Sequence, residues 1–318
     1  MLVNAASKCA WRKAWLALWA VLACLPAYAL FWGQNTDRAI VRIEQGDKIR
    51  VAATHLKRAG ALKSRRAFIA WAYITLNQNR VKAGEYEIPE GSSLNTIKNI
   101  LTGGRAFSRY LTVPEGLTSK QIFEILDGAE SLGGKRTAGA KDGELFPQTY
   151  AYDASETKDG LILRMKSAMN SALADEWEAR ADGLPYKSPF EALIMASLIE
   201  KETGAEAERG LVASVFVNRM RRNMRLQSDA TVSYGLGGRK RLYKKDVETD
   251  GPFNTYTRAG LPPSPICNPG LASIRAALHP ADTKYLYFVA DGMGGHRFSD
   301  NLSEHEKNRE KWRKVRGY

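Results

Sequence analysis

From Ala192 to Ile199 the chain carries no side chain more polar than Ser197, and the run ends abruptly in Glu200-Lys201-Glu202-Thr203-Gly204. A segment that is apolar all round at the helical period is buried on every side, so this one delivers the Glu200 carboxylate out of a dry core. Desolvation disfavours the charged form of a carboxylate and raises its pKa, which is what a carboxylic acid needs in order to donate a proton near neutral pH. Cleavage of a glycosidic bond requires such a donor, because the leaving oxygen must be protonated as the anomeric carbon gains oxocarbenium character. The alternative is structural: Glu200 sits in a buried ion pair, with Arg209 as the candidate cation.

Two further groups carry polar and aromatic side chains in short order. Gln227, Ser228 and Asp229 on one expected loop, and Asn254, Thr255 and Tyr256 on another, offer the hydrogen-bonding and stacking groups that a sugar site uses. The same residue types bond their own backbone in turns, and for Gln227, Asp229 and Asn254 the two readings weigh equally. His55, His279, His296 and His305 show no metal-ligand spacing, and there is no Cys cluster, P-loop or dinucleotide fingerprint. The expected chemistry therefore uses neither metal nor cofactor. Cys267 reads as a small core residue.

The elements that must hold these groups are marked by local signals. Ser188 as N-cap, Pro189 in the first turn and Glu191 at the reciprocal capping position start the helix that ends at Glu200. A helical pattern runs from Thr157 to Arg180, and a second helix covers Glu206 to Arg222 with Leu211, Val212, Val215, Phe216 and Met220 on one stripe. Asn268-Pro269 opens a helix that stops at His279-Pro280, Tyr285 to Ala290 reads as a strand, and Ser303 with Glu306 caps the final helix. In the first half one pattern occurs three times: an aliphatic residue, two others, Gly, then an amphipathic stretch ending in Leu. The copies are Ile43–Gly46 to Leu56, Ile88–Gly91 to Leu101 and Val113–Gly116 to Leu126, each read as a strand end, a Gly turn and a short helix.

Composition bounds what surrounds this machinery. With 44% hydrophobic and 25% charged residues the chain is globular rather than disordered. A formal net charge of +13 favours a polyanionic setting without choosing among nucleic acid, anionic lipid and an acidic wall polymer. Ala14 to Trp32 is uncharged over about 19 residues, near the length that crosses a bilayer as a helix. Lys8, Arg12 and Lys13 precede it, which keeps the N-terminus in the cytoplasm and puts the body outside the membrane. Ala27-Tyr28-Ala29 also resembles a signal-peptidase site, and Val21–Cys24 a poor lipoprotein box, but either alternative leaves the body outside as well. That topology argues against nucleic acid as a partner. The expected fold class is α+β: a cytoplasmic segment 1–13, a transmembrane anchor 14–32, a small repeat region 33–135 of βα units, and a mixed α/β domain 136–318.

Beyond the residues read one by one, the first repeat, Ile43-Glu44-Gln45-Gly46-Asp47-Lys48-Ile49, resembles the LysM module, a βααβ unit that binds GlcNAc-containing glycans. Ala196–Thr203, Glu208-Arg209, Val212–Arg219 and Met224–Gly235 closely resemble the YceG-like family, the endolytic murein transglycosylases called MltG. Phe253–Tyr256, Gly260–Ile266 and Tyr285–Ala290 continue the match, and Leu145–Tyr150 precedes it. Two departures stand out: Ala230 where the family pattern has Pro, and Asp142-Gly143 where Glu-Gly is more usual.

The resemblance implies a membrane-anchored lytic transglycosylase of the cell envelope, which cuts the β-1,4 bond between MurNAc and GlcNAc in nascent glycan strands without water. It implies that Glu200 protonates the bridging oxygen and then, as carboxylate, accepts a proton from the MurNAc C6 hydroxyl, leaving a 1,6-anhydro end. Because the nucleophile is the substrate's own hydroxyl, no second catalytic carboxylate is demanded, and Glu202 is expected to be structural. The implied partners are peptidoglycan strands, the cytoplasmic membrane and cell-wall synthesis enzymes. A tethered glycan-binding scaffold without activity and an ordinary glycoside hydrolase are the competing readings.

Overall fold

The computed structural model describes Cys24 and residues 27–35, 37–75, 80–103, 107–129, 131–153, 156–239 and 241–316. Of the expected anchor at 14–32, only Cys24 and residues 27–32 are among them, with 27–31 helical; the rest lies outside the described residues. Among the described residues no helix is long and apolar enough to cross a membrane. Contacts divide the chain into two compact units, Met1–Tyr110 with Ala151–Ser155, and Leu111–Tyr150 with Glu156–Tyr318.

The first unit contains β1 (Ala39–Ile43), α1 (Ile49–Arg58), α2 (Arg65–Ile74), β2 (Gly84–Ile88) and α3 (Leu94–Gly103). β1 and β2 pair antiparallel, with Ala39 opposite Ile88 and Ile43 opposite Gly84. Alternation decides the faces: Ala39, Val41 and Ile43 point inward while Ile40 and Arg42 stay exposed. α1 buries Ile49, Ala52, Ala53 and Leu56, one stripe at helical spacing. These meet Phe68, Tyr86, Ile97 and Leu101 in a single core.

β3 (Arg109–Thr112) and β4 (Thr149–Tyr152) pair as a short ribbon. The second unit contains α4 (Ser119–Gly128), α5 (Lys158–Glu178), α6 (Pro189–Glu202), a 3-10 turn (Glu206–Glu208), α7 (Arg209–Arg221), α8 (Asp229–Gly235), α9 (Lys244–Glu248) and α10 (Leu271–Leu278). It closes with β5 (Tyr287–Ala290), β6 (His296–Ser299) and α11 (Leu302–Arg316). β5 and β6 form an antiparallel hairpin with Tyr287 opposite Ser299, and α11 packs on it. α6 is the centre of this unit: α5, α7, α8 and α10 all pack on it, and every residue from Ala192 to Ile199 is buried. The sequence reading of a helix immersed on all sides is what the fold contains, and the class is α+β with small sheets.

All three Gly-turn copies fold alike. Gly46, Gly91 and Gly116 adopt φ of 90°, 70° and 76°, a region that favours glycine, and α1, α3 and α4 begin shortly after them. Leu56, Leu101 and Leu126 are fully buried. The third copy, grouped with the other two by its pattern, belongs by its contacts to the second unit, which begins at Leu111. Pattern reports how a segment folds locally, not which core it joins.

Capping is read correctly at one helix and shifted at another. Ser188 Oγ accepts from Glu191 N at 3.3 Å, while the Glu191 carboxylate reaches back to Lys187 N at 2.6 Å, one residue beyond the reciprocal partner. The cap of α11 is Asn301, whose Oδ1 accepts from Glu304 N at 2.9 Å, and not Ser303, which already lies inside the helix.

Candidate active site

Glu200 lies in the last turn of α6, and its side chain is only 7% exposed. Its Oε2 accepts a hydrogen bond from the Gly270 backbone N–H at 3.0 Å. Against its Cγ lies Gly116, where a Cβ would come to 3.6 Å. Two chain segments are thus wrapped around one carboxylate, the 115–118 turn and the 267–270 approach to α10. They are tied together: Gly116 N donates to Asn268 O at 2.9 Å and Asn268 N to Leu117 O at 2.8 Å.

The Asn268 side chain, fully buried, completes the junction. Its Oδ1 accepts from Gly143 N at 3.0 Å and Leu145 N at 2.9 Å. Its Nδ2 donates to Leu117 O at 2.9 Å and Ser119 Oγ at 3.2 Å. An amide is suited to this place because it can donate and accept at once. Asp142, noted as a departure from the family pattern, works beside it: one oxygen accepts from Ser119 N and the other from the Tyr234 hydroxyl at 2.6 Å. Ala230 stands in the first turn of α8, where Pro is tolerated but not required.

Arg209 opens α7 and points at the same place. Its Nε donates to the buried Ser273 hydroxyl at 3.2 Å, while Nη2 lies 3.9 Å from Glu200 Oε1 and 3.7 Å from Glu115 Oε2. The ion-pair alternative for Glu200 is therefore realised only loosely, since a charge-assisted hydrogen bond would be about 2.7–2.9 Å long. Glu115 is the surprise. Burial, and then the charge of Glu200, push its carboxyl above the usual carboxylate range, with Arg209 pulling the other way. It stands in the third repeat, Val113-Pro114-Glu115-Gly116, and its twin Glu90 occupies the same place in the second, which disguised it as part of a folding pattern.

Glu202, two residues on, faces another side of the helix end. Its carboxylate accepts from the Ser228 hydroxyl. Burial raises its pKa; the Ser228 bond opposes this, the Asp229 charge adds to it, and His296 and Arg219 oppose it. Through Ser228 it reaches the two polar loops, which the fold brings together: Gln227 N donates to Thr255 O at 3.1 Å and Ser228 N to Thr255 Oγ1 at 3.0 Å. Gln227 holds a left-handed φ of 55°, and its Oε1 accepts from Arg219 Nη1 at 3.3 Å. Arg219, itself buried, also grips Leu226 O at 2.8 Å and Leu286 O at 2.6 Å.

The six residues divide by burial, and Asp229, expected on a loop, stands in the first turn of α8 with Ser228 as its N-cap. Ser228, Thr255 and Asn254 are buried and spend their polar atoms on the fold. For Asn254 the turn reading prevails, since its Nδ2 donates to Asp246 O, Val247 O and Thr249 O and its Oδ1 accepts from Tyr256 N. Gln227, Asp229 and Tyr256 retain access to solvent, the last two joined by a 2.6 Å bond from the Tyr256 hydroxyl to Asp229 Oδ1. Gly116, Glu115, Arg209 and Gly270 border the Glu200 side chain. Cys267 is buried, with its thiol pushed far up by desolvation and its Sγ directed at Ser197 O, 3.4 Å away. Among the described residues no group of His, Cys, Asp and Glu is arranged to hold a metal ion.

Comparison with known proteins places this geometry. The model of the YceG-like family matches residues 41–311. An endolytic murein transglycosylase of Bacillus subtilis is 32% identical over 304 residues, covering 86% of this chain and 84% of the relative. One of Streptococcus pneumoniae is 30% identical over 318 residues, covering 84% of this chain, which spans 57% of that longer relative. The crystal structure of a yceG-like protein from Listeria monocytogenes superposes with a TM-score of 0.52 at 30% identity, over 86% of this chain and 99% of that one. The family model takes in α6, Glu200 in its last turn and the segments wrapped around it, and the chain belongs to the YceG-like family.

Proposed function

We propose that the chain is a peptidoglycan lytic transglycosylase that cuts within glycan strands at the MurNAc–GlcNAc β-1,4 bond and leaves 1,6-anhydroMurNAc ends. The observation that carries this reading is Glu200 itself, a carboxyl delivered by an apolar helix, held through one oxygen by a backbone N–H and not closed into a tight ion pair. The relatives named endolytic murein transglycosylases supply the substrate class. Protonated Glu200 gives its proton to the bridging oxygen as the C1–O bond breaks, and the departing GlcNAc leaves with a 4-hydroxyl. The resulting carboxylate removes the proton of the MurNAc C6 hydroxyl, whose oxygen bonds to C1. Glu200 ends protonated again, no water is consumed, and the intramolecular nucleophile brings a high effective concentration.

Gln227, Asp229 and Tyr256 are assigned to strand binding. Ala14 to Trp32 is assigned as a single-pass anchor in the cytoplasmic membrane with the enzyme outside, where it trims strands beside the enzymes that make them. The test is mass spectrometry of products from peptidoglycan treated with the chain from about Asn35 onward and with its Glu200→Gln variant. Internal fragments with anhydro ends from the parent alone are expected. Reducing ends would mean a hydrolase, and glycan binding without cleavage a scaffold.

A further inference from the structure

Glu200 and Glu115 face one guanidinium that forms a short bond to neither. Arg209 Nη2 stands 3.9 Å from the first carboxylate and 3.7 Å from the second, while Nε is committed to Ser273 Oγ at 3.2 Å. Left with a single carboxylate in so buried a place, a guanidinium closes into a direct charge-assisted bond, which favours the charged form of the acid. An acid so paired cannot serve as proton donor near neutral pH. Something must hold Arg209 back, and the fold supplies two groups that do.

We propose that Glu115 is a positioning residue for the reaction at Glu200: with Ser273 it suspends Arg209 between two carboxylates and keeps it from locking Glu200 in an ion pair. The inference rests on Glu200 being the proton donor. Three features show that Glu115 is placed there by construction. Its turn is pinned by the paired backbone bonds between Gly116, Leu117 and Asn268. Its carboxylate lies flat against Gly270, where a Cβ would overlap it and still find its farther oxygen only 2.7 Å away. Lys201 Nζ, 3.3 Å from Gly116 O, closes the turn from the other side. Burial and the charge of Glu200 raise the Glu115 carboxyl, as expected where two acids share one cation.

The charged and titratable groups that face Glu200 or its partners are Glu115 on the turn, Arg209 on α7, Cys267 before α10, Lys201 and Glu202 on its own helix, and Glu206 on the 3-10 turn, which acts on Glu115. Of these, Arg209 and Glu115 are the pair whose balance reaches Glu200 directly. Replacing Glu115 with Gln removes the counterweight, and Arg209 then acts on Glu200 alone.

The test is the pH dependence of anhydroMurNAc release by the full chain from purified glycan strands, for the parent and for Glu115→Gln, Glu115→Asp, Glu115→Gln with Arg209→Gln, and Glu200→Gln. For Glu115→Gln we expect the alkaline limb of kcat/KM to move down by about one pH unit, the low end for an opposite charge beside a carboxyl. The rate at neutral pH falls about tenfold with it, with melting unchanged. Glu115→Asp restores most of the limb, and the double variant moves it back up because the cation is gone. An unshifted limb in a folded Glu115→Gln, or a loss equal at every pH that Asp does not rescue, overturns the proposal. Inactive Glu200→Gln beside an unshifted Glu115→Gln defeats this inference alone, whereas active Glu200→Gln defeats the proposed function with it.

Discussion

Replacing Gly270 with Ala separates two tasks that one residue performs, holding Glu200 through its N–H and leaving room for Glu115. The backbone tolerates the change: φ of −78° and ψ of 170° are ordinary for alanine. The added Cβ would overlap the Glu115 carboxylate, so that group must swing away. It can do so because the Glu115 side chain is 44% exposed, and giving up the 3.7 Å contact with Arg209 costs about 1.4 kcal/mol, the equivalent of the one-unit shift expected at Glu200. Lower entropy of the unfolded chain offsets part of that cost, by about 0.4–1 kcal/mol. The net change in stability is therefore within about 1 kcal/mol of zero, or roughly 2–4 °C in Tm for a domain of this size. The bond from residue 270 N to Glu200 survives. Activity should nevertheless fall about tenfold at neutral pH, as for loss of Glu115 itself, since a one-unit shift is a tenfold change in protonation. Paired thermal melts and anhydro-product assays measure both quantities. Parental activity in a variant that melts like the parent would refute the reasoning, and so would a collapse of stability.

Further expectations follow from the same contacts. Burial raises Glu202 above its unfolded counterpart, so folding disfavours its ionised form, a cost that is relieved as pH falls through the raised value towards the ordinary carboxylate range. Glu202→Gln, which keeps an acceptor for Ser228, should raise Tm at pH 7 and lose the advantage near pH 4; an equal effect at both would contradict the electrostatic account. Asn268→Ala strands the buried N–H groups of Gly143 and Leu145 and should cost roughly 2–5 kcal/mol in chemical denaturation. Asn301→Ala should destabilise by about 1 kcal/mol through the lost cap of α11, while Ser303→Ala stays within about 0.5 kcal/mol. The reverse order in thermal melts would return the cap to Ser303.

Much of the fold could be read before any coordinates. The three Gly turns, the start of α6 at Ser188-Pro189 and the immersion of Ala192 to Ile199 were all legible. Each is decided by residues within a turn or two of one another, where φ restrictions, caps and periodicity act directly. Boundaries drifted where two signals competed, as at Asn301 and Ser303, both competent caps a short distance apart. The candidate site was legible in one member. Glu200 announced itself by the apolar run before it, but Glu115 had no such context, and its only signature was a repeat that serves folding elsewhere in the chain.

What the sequence by itself determined was therefore local: that a carboxylate leaves a dry helix, that polar side chains cluster at 227–229 and 254–256, and which segments turn or coil. The tertiary structure alone decided which groups meet. Packing set Arg209 between Glu200 and Glu115, joined the two loops through Thr255, and turned Asn254 from a candidate ligand contact into a fold-holding amide. These are long-range outcomes, such as the bond from Asn268 to Leu117, and sequence spacing carries no trace of them. The reason is physical: a helix or a turn is specified by its own torsions, whereas the neighbours of a buried charge are specified by how whole elements close around it.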